Sequence, residues 1–477
     1  MKVVFIASEG VPFSKSGGLA DVVGALPKEL KRQGMDVSVL LPKYGEIPEP
    51  LRKCSELKSS FTTHLGWRQQ YCGIEVVHYE GIPFYLMDNQ HYFNRGELYG
   101  YDDDAERYVF FCRAALQALP EVELQPDVIH LHDWQTGLIS VLLKAHYGQD
   151  PFYENTKTIF TIHNLKYQGI FPKTILSDML DLGWDYFSSD GLEFYGNVNF
   201  LKAGLAYSDL LTTVSPTYAQ EIQHPFFGEN LHGFLQKRKE DLSGIINGID
   251  YEEYNPDDDP HIFRSYNADS LRYKVENKLQ LQKQLDLPVD GKIPMMGIIS
   301  RLVSQKGLDL IGHVLDEILA QDVQLVVLGT GDQYYEDMFR AKASQHPTKL
   351  SANIRFDNTL AHRIYAGTDL FLMPSLFEPC GLSQLIALRY GSLPIVRETG
   401  GLNDTVTSYN SKTGEGNGFS FTNYNAHDML YTISRALELY RNKPIWTRIR
   451  KNAMRMDFSW NRSAAEYIGL YQRLLDT

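Results

Sequence analysis

The chain has 477 residues, of which 43% are apolar and 22% are charged, and its formal net charge is -13. This length exceeds the size at which one hydrophobic core keeps growing, so we expect two α/β domains, and the composition excludes a disordered protein. The excess of acidic residues argues against a general nucleic-acid binder, although it leaves room for a local basic pocket that binds a phosphorylated ligand.

The cysteines and the first residues indicate a cellular compartment. Cys54, Cys72, Cys112 and Cys380 include no closely spaced pair, so the sequence predicts neither a metal knuckle nor a disulfide framework. Reduced thiols are typical of the cytoplasm, where we expect the protein. The opening run of eight mostly apolar residues is too short to cross a membrane and is interrupted by Glu9. We interpret it as a buried first strand.

In the first half of the chain, strand-like runs alternate with a helix-like stretch. The predicted elements are strands at 3–7, 37–41, 128–131, 158–162 and 210–214, and a helix at 19–32 that is followed by Gly34 at its C-cap. A strand, a helix and a second strand in this order predict a parallel sheet. Functional loops in such sheets lie at the carboxyl ends of the strands.

Strand-like runs and a helix-like stretch alternate again in the second half of the chain. The predicted elements there are strands at 293–299, 324–328, 370–373 and 393–396 and a helix at 308–319. Between the halves, residues 254–260 are rich in turn formers and lack an apolar period, so we place the domain boundary near them. The tail from Ser459 is predicted to be an amphipathic helix whose apolar positions are Ala464, Tyr467, Ile468, Tyr471, Leu474 and Leu475.

Two similar turns, at 17–22 and 400–406, each begin with Gly-Gly-Leu after a strand-like run. Either turn allows backbone N–H groups and a helix N-terminus to approach an anion, and Lys15 adds a full charge at the first turn. The alternative is a plain strand-to-helix turn with a solvated lysine. The pattern matches neither the dinucleotide fingerprint nor the P-loop.

A second candidate loop, 300–307, carries Arg301 and Lys306 at the end of a predicted strand. Two cations beside a helix start suit a diphosphate that gains charge as it leaves, although both can also be ordinary surface charges. In a third segment, 374–383, Glu378 precedes a strand-loop-helix junction. This glutamate can accept hydrogen bonds from sugar hydroxyls or simply complement the helix dipole, and Cys380 is expected to be a small buried residue.

Polar residues also follow the strands of the first half. His130 and His132 lie on one face of a predicted strand, where we favour a structural role over a metal site because no third ligand is evident. His163 and Asn247 each follow an apolar run at the edge of the expected site. The acidic runs 102–104 and 257–259 lie in polar stretches, and we expect them to be solvated rather than metal-binding.

Taken together, these segments resemble the bacterial glycogen synthases and the related starch synthases, which use ADP-glucose. The matching segments, in family order along nearly the whole chain, are KSGGLADVVGALP, HLHDWQTGL, FTIHNLKYQG, TVSPTYAQEI, IINGID, SRLVSQKGLDL, PSLFEPCGLSQL, RETGGLNDTV and DFSW. The resemblance implies an α/β protein of the GT-B fold, with two Rossmann-like domains facing each other across a deep cleft. The implied boundaries are 1–245 for the first domain, 246–457 for the nucleotide-sugar domain, and 458–477 for a C-terminal helix that crosses back to the first domain.

The resemblance also assigns the residues that bind the donor and the acceptor. It places the diphosphate on Arg301, Lys306, the backbone of Leu382 and Ser383, and, from the first domain, Lys15 and Gly18. It places adenine on Phe356, where the family has a tyrosine; a phenylalanine still stacks but lacks the hydroxyl. The donor glucose is assigned to His163, Asn247, Glu378 and the backbone of Cys380 and Gly381, and the acceptor side to Asp133.

The implied enzyme is an ADP-glucose:α-1,4-glucan 4-α-glucosyltransferase that acts with retention of configuration on glycogen. Retention allows either a covalent intermediate or same-face attack, and we favour the second because these residues stabilise a leaving diphosphate rather than form a bond. No metal or cofactor is implied, since Lys15, Arg301 and Lys306 fill that role. We expect no nucleic-acid or membrane partner, and the oligomeric state stays open.

Two other interpretations remain. The nearest is another GT-B transferase, of the UDP-glucose or sucrose type, and a more distant one is a glucan- or nucleotide-binding protein of the same fold without activity. A Rossmann dehydrogenase is disfavoured because no G-x-G-x-x-G segment begins either half.

Overall fold

A computed structural model describes residues 1–476, which form two compact units. The first unit consists of Met1–Asn247 together with the described residues from Trp460 onwards, and the second is Gly248–Ser459. Each unit is built around its own sheet. No helix among the described residues is long and apolar enough to cross a membrane.

The first unit is centred on a nine-stranded sheet with the strand order β12-β11-β7-β6-β1-β2-β5-β4-β3. Its strands, with those of a small three-stranded sheet (β8-β10-β9), are β1 (Lys2–Ile6), β2 (Asp36–Pro42), β3 (Glu56–Leu65), β4 (Arg68–Tyr79), β5 (Ile82–Asp88), β6 (Val128–His132), β7 (Lys157–Ile162), β8 (Ile170–Pro172), β9 (Glu193–Phe194), β10 (Asn197–Asn199), β11 (Leu210–Thr213) and β12 (Leu242–Gly244). The strands from β12 to β5 in this order are parallel, and β4 and β3 continue the sheet antiparallel.

Helices cover this sheet on both faces. They are α1 (Gly18–Arg32), α2 (Glu49–Lys53), α3 (Gln90–Phe93), α4 (Asp104–Glu121), α5 (Leu138–His146), α6 (Ile175–Asp178), α7 (Phe200–Tyr207), α8 (Pro216–Glu221) and α9 (His232–Lys237). Two separate cores result, one on each face of the sheet. Because both faces are covered, β1 is apolar and buried without alternation from Val3 to Ile6, after the exposed Lys2 at its start.

The second unit has a fully parallel six-stranded sheet in the order β15-β14-β13-β16-β17-β18. Its strands are β13 (Met295–Ile299), β14 (Gln324–Leu328), β15 (Leu350–Asn353), β16 (Leu370–Met373), β17 (Leu393–Arg397) and β18 (Phe419–Phe421). Counted from the first strand of the unit, this is the order 3-2-1-4-5-6 of the Rossmann fold. The connections therefore reverse direction between β13 and β16, and the loops after these two strands diverge at that point.

The helices of the second unit are α10 (Arg272–Gln284), α11 (Leu308–His313), α12 (Leu315–Ala320), α13 (Gln333–Gln345), α14 (Asn358–Gly367), α15 (Ser383–Arg389), α16 (Gly400–Thr405), α17 (Ala426–Tyr440) and α18 (Lys443–Met454). The single helix predicted at 308–319 is wrong in one respect. The structure breaks it at Val314, which has φ -120° and ψ 19°, values outside the helical region.

The C-terminal helix, α19 (Trp460–Leu475), belongs to the first unit. Its buried face carries Trp460, Ala464, Tyr467, Tyr471 and Leu474, which join α1 in the core on that side of the sheet. The predicted amphipathic helix and its return to the first domain are thus confirmed. The prediction is wrong for Leu475, which is exposed at the end of the helix.

The prediction that the two acidic runs are solvated is wrong for one residue in each run. Asp104 is buried and pairs with Arg107 at 2.5 Å. Asp259 is also buried, and its Oδ2 accepts a hydrogen bond from Tyr390 at 2.6 Å and lies 2.8 Å from Nδ1 of His362. Both runs are therefore partly structural, since buried carboxylates need such partners.

Candidate active site

In the first unit, the predicted site residues gather at the carboxyl ends of β1, β6 and β7. These strands are neighbours in the sheet, and the chain leaves β1 toward β2 on one side and β6 toward β7 on the other. In an open parallel sheet, such a switch point leaves a crevice between diverging loops. The loops after these three strands carry Lys15, Asp133 and His163, respectively.

Asp133 and His163 are in direct contact. Asp133 Oδ1 accepts the backbone N–H of His163 at 2.7 Å, and Asp133 has a φ of 55°. Aspartate is one of the few residues other than glycine that adopts this left-handed conformation readily. Burial raises the pKa of Asp133 to about 7, although the backbone N–H groups of His163 and Asn164 oppose this shift. Burial also lowers the pKa of His163 to about 3, so its ring is neutral at neutral pH.

His130 and His132 lie beneath this pair as the two fully buried histidines of β6. Their rings stack with centroids 4.2 Å apart. His130 Nδ1 lies 2.8 Å from the Tyr471 hydroxyl of α19, and its Nε2 lies 2.6 Å from Thr161 Oγ1. His132 Nδ1 lies 3.0 Å from His163 Nε2. Burial lowers the pKa of both rings well below the ordinary value of histidine.

The loop before α1 is held by carboxylates of its own chain. Glu9 is only 3% exposed, and its Oε2 accepts the backbone N–H of Ser16. Burial raises the pKa of Glu9 to about 7, against the lowering effect of the hydrogen bonds from Ser16.

Lys15 pairs with Asp21 at 2.7 Å and is half exposed. Gly18 is the first residue of α1. An incoming anion therefore competes with Asp21 for the lysine.

Asn247 is the last residue of the first unit and follows β12. It is buried, yet its side-chain Oδ1 has no hydrogen-bond partner among the described residues. An unsatisfied buried acceptor is costly, and a ligand with a donor hydroxyl removes that cost.

In the second unit, the loop after β13 presents Arg301 and Lys306. Arg301 is exposed, and no described residue forms an ion pair with its guanidinium or accepts a hydrogen bond from it. Lys306 ends a short 3-10 helix, and Gly307, with φ 72°, starts α11 behind it. An added Cβ on Gly307 would overlap the carbonyl oxygen of Pro374 in the loop after β16. The close approach of these two loops thus requires glycine.

Glu378 lies in the loop after β16 and pairs with Lys306 at 2.7 Å. The glutamate is 7% exposed, and its Oε2 also accepts a hydrogen bond from Ser375 Oγ at 3.0 Å. Arg397, on β17, donates from its guanidinium to the backbone oxygens of Ser375 and Leu376. The Lys306–Glu378 pair therefore joins the loops that diverge at the switch point of this sheet.

The second Gly-Gly-Leu turn packs against the backbone of the same loop. Gly400 has φ 44°, and an added Cβ there would overlap the carbonyl oxygen of Glu378. The N–H of Gly401 donates to the carbonyl oxygens of Glu378 and Pro379 at 3.2 and 3.0 Å. This turn shapes the glutamate loop instead of presenting free N–H groups of its own.

The remaining predicted residues follow Glu378 or lie on another loop. Cys380 is buried, Gly381 has φ 72°, and Gln384 Nε2 donates to the carbonyl oxygens of both at 2.9 and 2.8 Å. Leu382 and Ser383 form the start of α15. Phe356 lies after β15, two strands from β13, and is 90% exposed, so its ring is free to stack.

Three supporting residues were not predicted as part of the site. Glu9, Ser375 and Gln384 each hold a site loop through a side-chain hydrogen bond. A signal was present only for Glu9, because a carboxylate directly after a buried strand must find a partner. The contacts of Ser375 and Gln384 depend on how the loops fold back, which no local pattern indicates.

The raised pKa of Asp133 predicts a pH effect on stability. An unfolded aspartate titrates near 3.9, so between about pH 4 and pH 7 the folded chain binds a proton there that the unfolded chain has lost. Ionisation of Asp133 therefore costs stability as the pH rises, by at most ~1.4 kcal/mol per pH unit. Asp133→Asn has no such cost and keeps an acceptor for His163.

We expect urea unfolding to show this effect as a pH-dependent difference between the unfolding midpoints of the two chains. From pH 5 to pH 8, the unfolding midpoint of Asp133→Asn should rise relative to that of the wild-type chain. A difference between the two midpoints that stays constant over this range would contradict the raised pKa.

Comparisons with known proteins agree with this arrangement. The family model of the starch synthase catalytic domain matches residues 2–237, and the family model of group 1 glycosyl transferases matches residues 281–456. The chain is 60% identical over 475 residues to a glycogen synthase of Desulforamulus reducens, covering 100% of this chain and 99% of the relative. It is 55% identical over 474 residues to a glycogen synthase of Alkaliphilus metalliredigens, covering 99% of this chain and 100% of the relative.

Among solved structures, the catalytic domain of starch synthase IV from Arabidopsis thaliana, bound to ADP and acarbose, superposes with a TM-score of 0.91 at 36% identity, covering 100% of this chain and 99% of that one. Sucrose-phosphate synthase from Thermosynechococcus elongatus shares only the fold, with a TM-score of 0.64 at 16% identity and coverage of 100% and 99%. The GT-B fold predicted from the sequence is thereby confirmed. The chain belongs to the glycogen synthase family.

Proposed function

We propose that the chain transfers glucose from ADP-glucose to the non-reducing 4-hydroxyl of an α-1,4-glucan such as glycogen, with retention of configuration, in the cytoplasm. The observation that carries this proposal is the pair of loops at the β13/β16 switch point. Arg301, which has no ion-pair partner among the described residues, lies on the loop whose Lys306 is paired with Glu378. The names of the relatives and the ADP in the starch synthase IV complex support it.

We assign the donor's diphosphate to the cations of the second unit. Arg301 has no competing carboxylate among the described residues, and Lys306 keeps a second role in orienting Glu378. Both cations gain interaction energy as the phosphate departs, because negative charge grows on it in the transition state. The backbone of Leu382 and Ser383 is assigned to the same group, and Phe356 to adenine. From the first unit, Lys15 and Gly18 are assigned to the phosphate.

We assign the glucose of the donor to a set of neutral and charged hydrogen-bonding groups. Glu378 accepts from the 3- and 4-hydroxyls, beside the backbone of Cys380 and Gly381. His163 and Asn247 contact the 6-hydroxyl. The unsatisfied Oδ1 of Asn247 supports this assignment, since a sugar hydroxyl supplies the missing donor.

In the proposed reaction, the bond from the anomeric carbon to the phosphate oxygen breaks as the acceptor's 4-hydroxyl oxygen bonds to the same face of that carbon. The acceptor proton passes to the departing phosphate oxygen, and ADP leaves with it. Asp133 lies on the acceptor side. Its pKa near 7 makes its charge sensitive to a bound sugar.

Offering the purified chain labelled ADP-glucose or labelled UDP-glucose, each with glycogen as acceptor, tests the proposal. We expect label to enter glycogen faster from ADP-glucose, and ADP to appear in equal amount. Faster transfer from UDP-glucose would support another GT-B transferase instead. Binding of glycogen or ADP without any transfer would support a binding protein of the same fold.

A further inference from the structure

His132 is a buried residue that the proposed reaction does not use. It lies on β6, and its ring stacks on that of His130, with the ring centroids 4.2 Å apart. The ring of Phe5 also stacks with it, at 5.3 Å between centroids. His130 is itself held by Tyr471 on one ring nitrogen and by Thr161 on the other. The ring of His132 is therefore fixed in place beneath His163.

The contact between His132 Nδ1 and His163 Nε2, at 3.0 Å, leaves two possible proton arrangements. Both rings are neutral, because burial lowers the pKa of each. Because the contact is a hydrogen bond between two neutral rings, one of the facing nitrogens carries the N–H and the other accepts it. The choice determines which nitrogen of His163 carries its proton.

The far side of His132 distinguishes the two arrangements. Its Nε2 is buried and has no hydrogen-bond partner among the described residues. If His163 were the donor, His132 would have to carry its proton on Nε2, which would leave a buried N–H without an acceptor. If His132 is the donor, Nε2 carries only a lone pair. Buried N–H groups without an acceptor are rarer in native proteins than acceptors without a donor, so the second arrangement is favoured.

This arrangement determines whether Nδ1 of His163 donates or accepts a hydrogen bond. With Nε2 of His163 used as an acceptor, its proton lies on Nδ1. No described residue accepts a hydrogen bond from Nδ1, and this atom is not buried. It is therefore available to a ligand as a donor.

We propose that His132 is a positioning residue that fixes His163 as the Nδ1–H tautomer, so that His163 donates a hydrogen bond to an oxygen of the donor glucose. The assignment of glucose to His163 rests on the proposed function, whereas the tautomer rests on the protein alone. His132 acts through His163 and does not contact the substrate.

Two substitutions separate positioning from packing. His132→Asn keeps an N–H donor close to the place of Nδ1–H but loses the ring, and His132→Phe keeps a ring in the stack but has no donor. If His132 positions His163, the phenylalanine variant should lose about tenfold in kcat, the scale of one hydrogen bond, and the asparagine variant should lose less. If His132 only packs, the order should be the reverse, because the asparagine variant leaves a cavity.

Nitrogen-15 NMR of the wild-type chain, labelled on histidine, tests the tautomer without substrate. The signals of His163 are assigned by their loss in His163→Asn. We expect a protonated Nδ1 and an unprotonated Nε2 in the wild type, and a change toward the Nε2–H form in His132→Phe. A protonated Nε2 in the wild type would overturn the proposal, even if neither His132 variant folds. Failure of the wild-type chain to transfer glucose would count against the proposed function and leave the tautomer result unaffected.

Discussion

Arg301→Ala is expected to lower turnover at least about 100-fold, the scale of removing one group that stabilises charge in the transition state. The substitution is a clean test because no described residue is paired with the guanidinium. The fold therefore loses no ion pair, and the midpoint of thermal unfolding should stay close to that of the wild type. Initial rates with labelled ADP-glucose and glycogen measure the effect.

Arg340→Ala provides the matched control for this experiment. Arg340 is also an exposed arginine of the second unit, on α13, and its ion-pair partners among the described residues are Glu336 and Asp337 of the same helix. Surface pairs of this kind contribute little, so both turnover and unfolding should be nearly unchanged. Turnover by Arg301→Ala within a few-fold of this control would contradict the assignment of Arg301 to the leaving diphosphate.

Lys306→Ala should reduce turnover by a similar factor for two combined reasons. It removes a cation from the diphosphate, and it leaves the buried Glu378 without its charged partner, which costs stability. A lower unfolding midpoint in Lys306→Ala than in Arg301→Ala would reveal this second effect.

Local sequence patterns predict buried strands well and exposed strands poorly. The predicted strands at 324–328 and 370–373 coincide with β14 and β16, because both are short apolar runs buried on two faces of a parallel sheet. In the first unit, β3 was not predicted, since it is exposed along most of its length and carries Lys58, Ser59 and Ser60. Its strand pairing arises from the β4 hairpin rather than from an apolar pattern.

The order of the strands in the sheet could not be predicted from these local patterns. The pairing of β13 with β16 joins Met296 to Leu370, and nothing near either residue specifies the other. The two loops that carry Lys306 and Glu378 could be predicted as functional because each follows a strand. Their ion pair could not, because it depends on that long-range pairing. Only the resemblance to a family connected the two residues before the structure did.

Gly401→Ala is expected to reduce turnover about 100-fold or more, although Gly401 is assigned no contact with substrate. An added Cβ would lie 2.5 Å from Cα of Cys380 and would overlap its carbonyl oxygen. Backbone cannot move aside as a flexible side chain can, so the loop from Glu378 to Gly381 must shift. A displacement of about 1 Å in that loop misplaces the Glu378 carboxylate relative to Lys306 and the donor glucose. Initial rates and the unfolding midpoint together measure the effect.

Gly469→Ala is the matched control, because it makes the same chemical change in α19, where an added Cβ meets nothing within 4 Å. In a helix interior this change should slightly raise stability and leave turnover unaltered. Gly401→Ala should also be less stable than the wild type, by about 1–3 kcal/mol for an overpacked site. Wild-type turnover in Gly401→Ala would contradict the idea that the second Gly-Gly-Leu turn shapes the glutamate loop. Loss of turnover together with an unfolding midpoint below that of Gly469→Ala would support it.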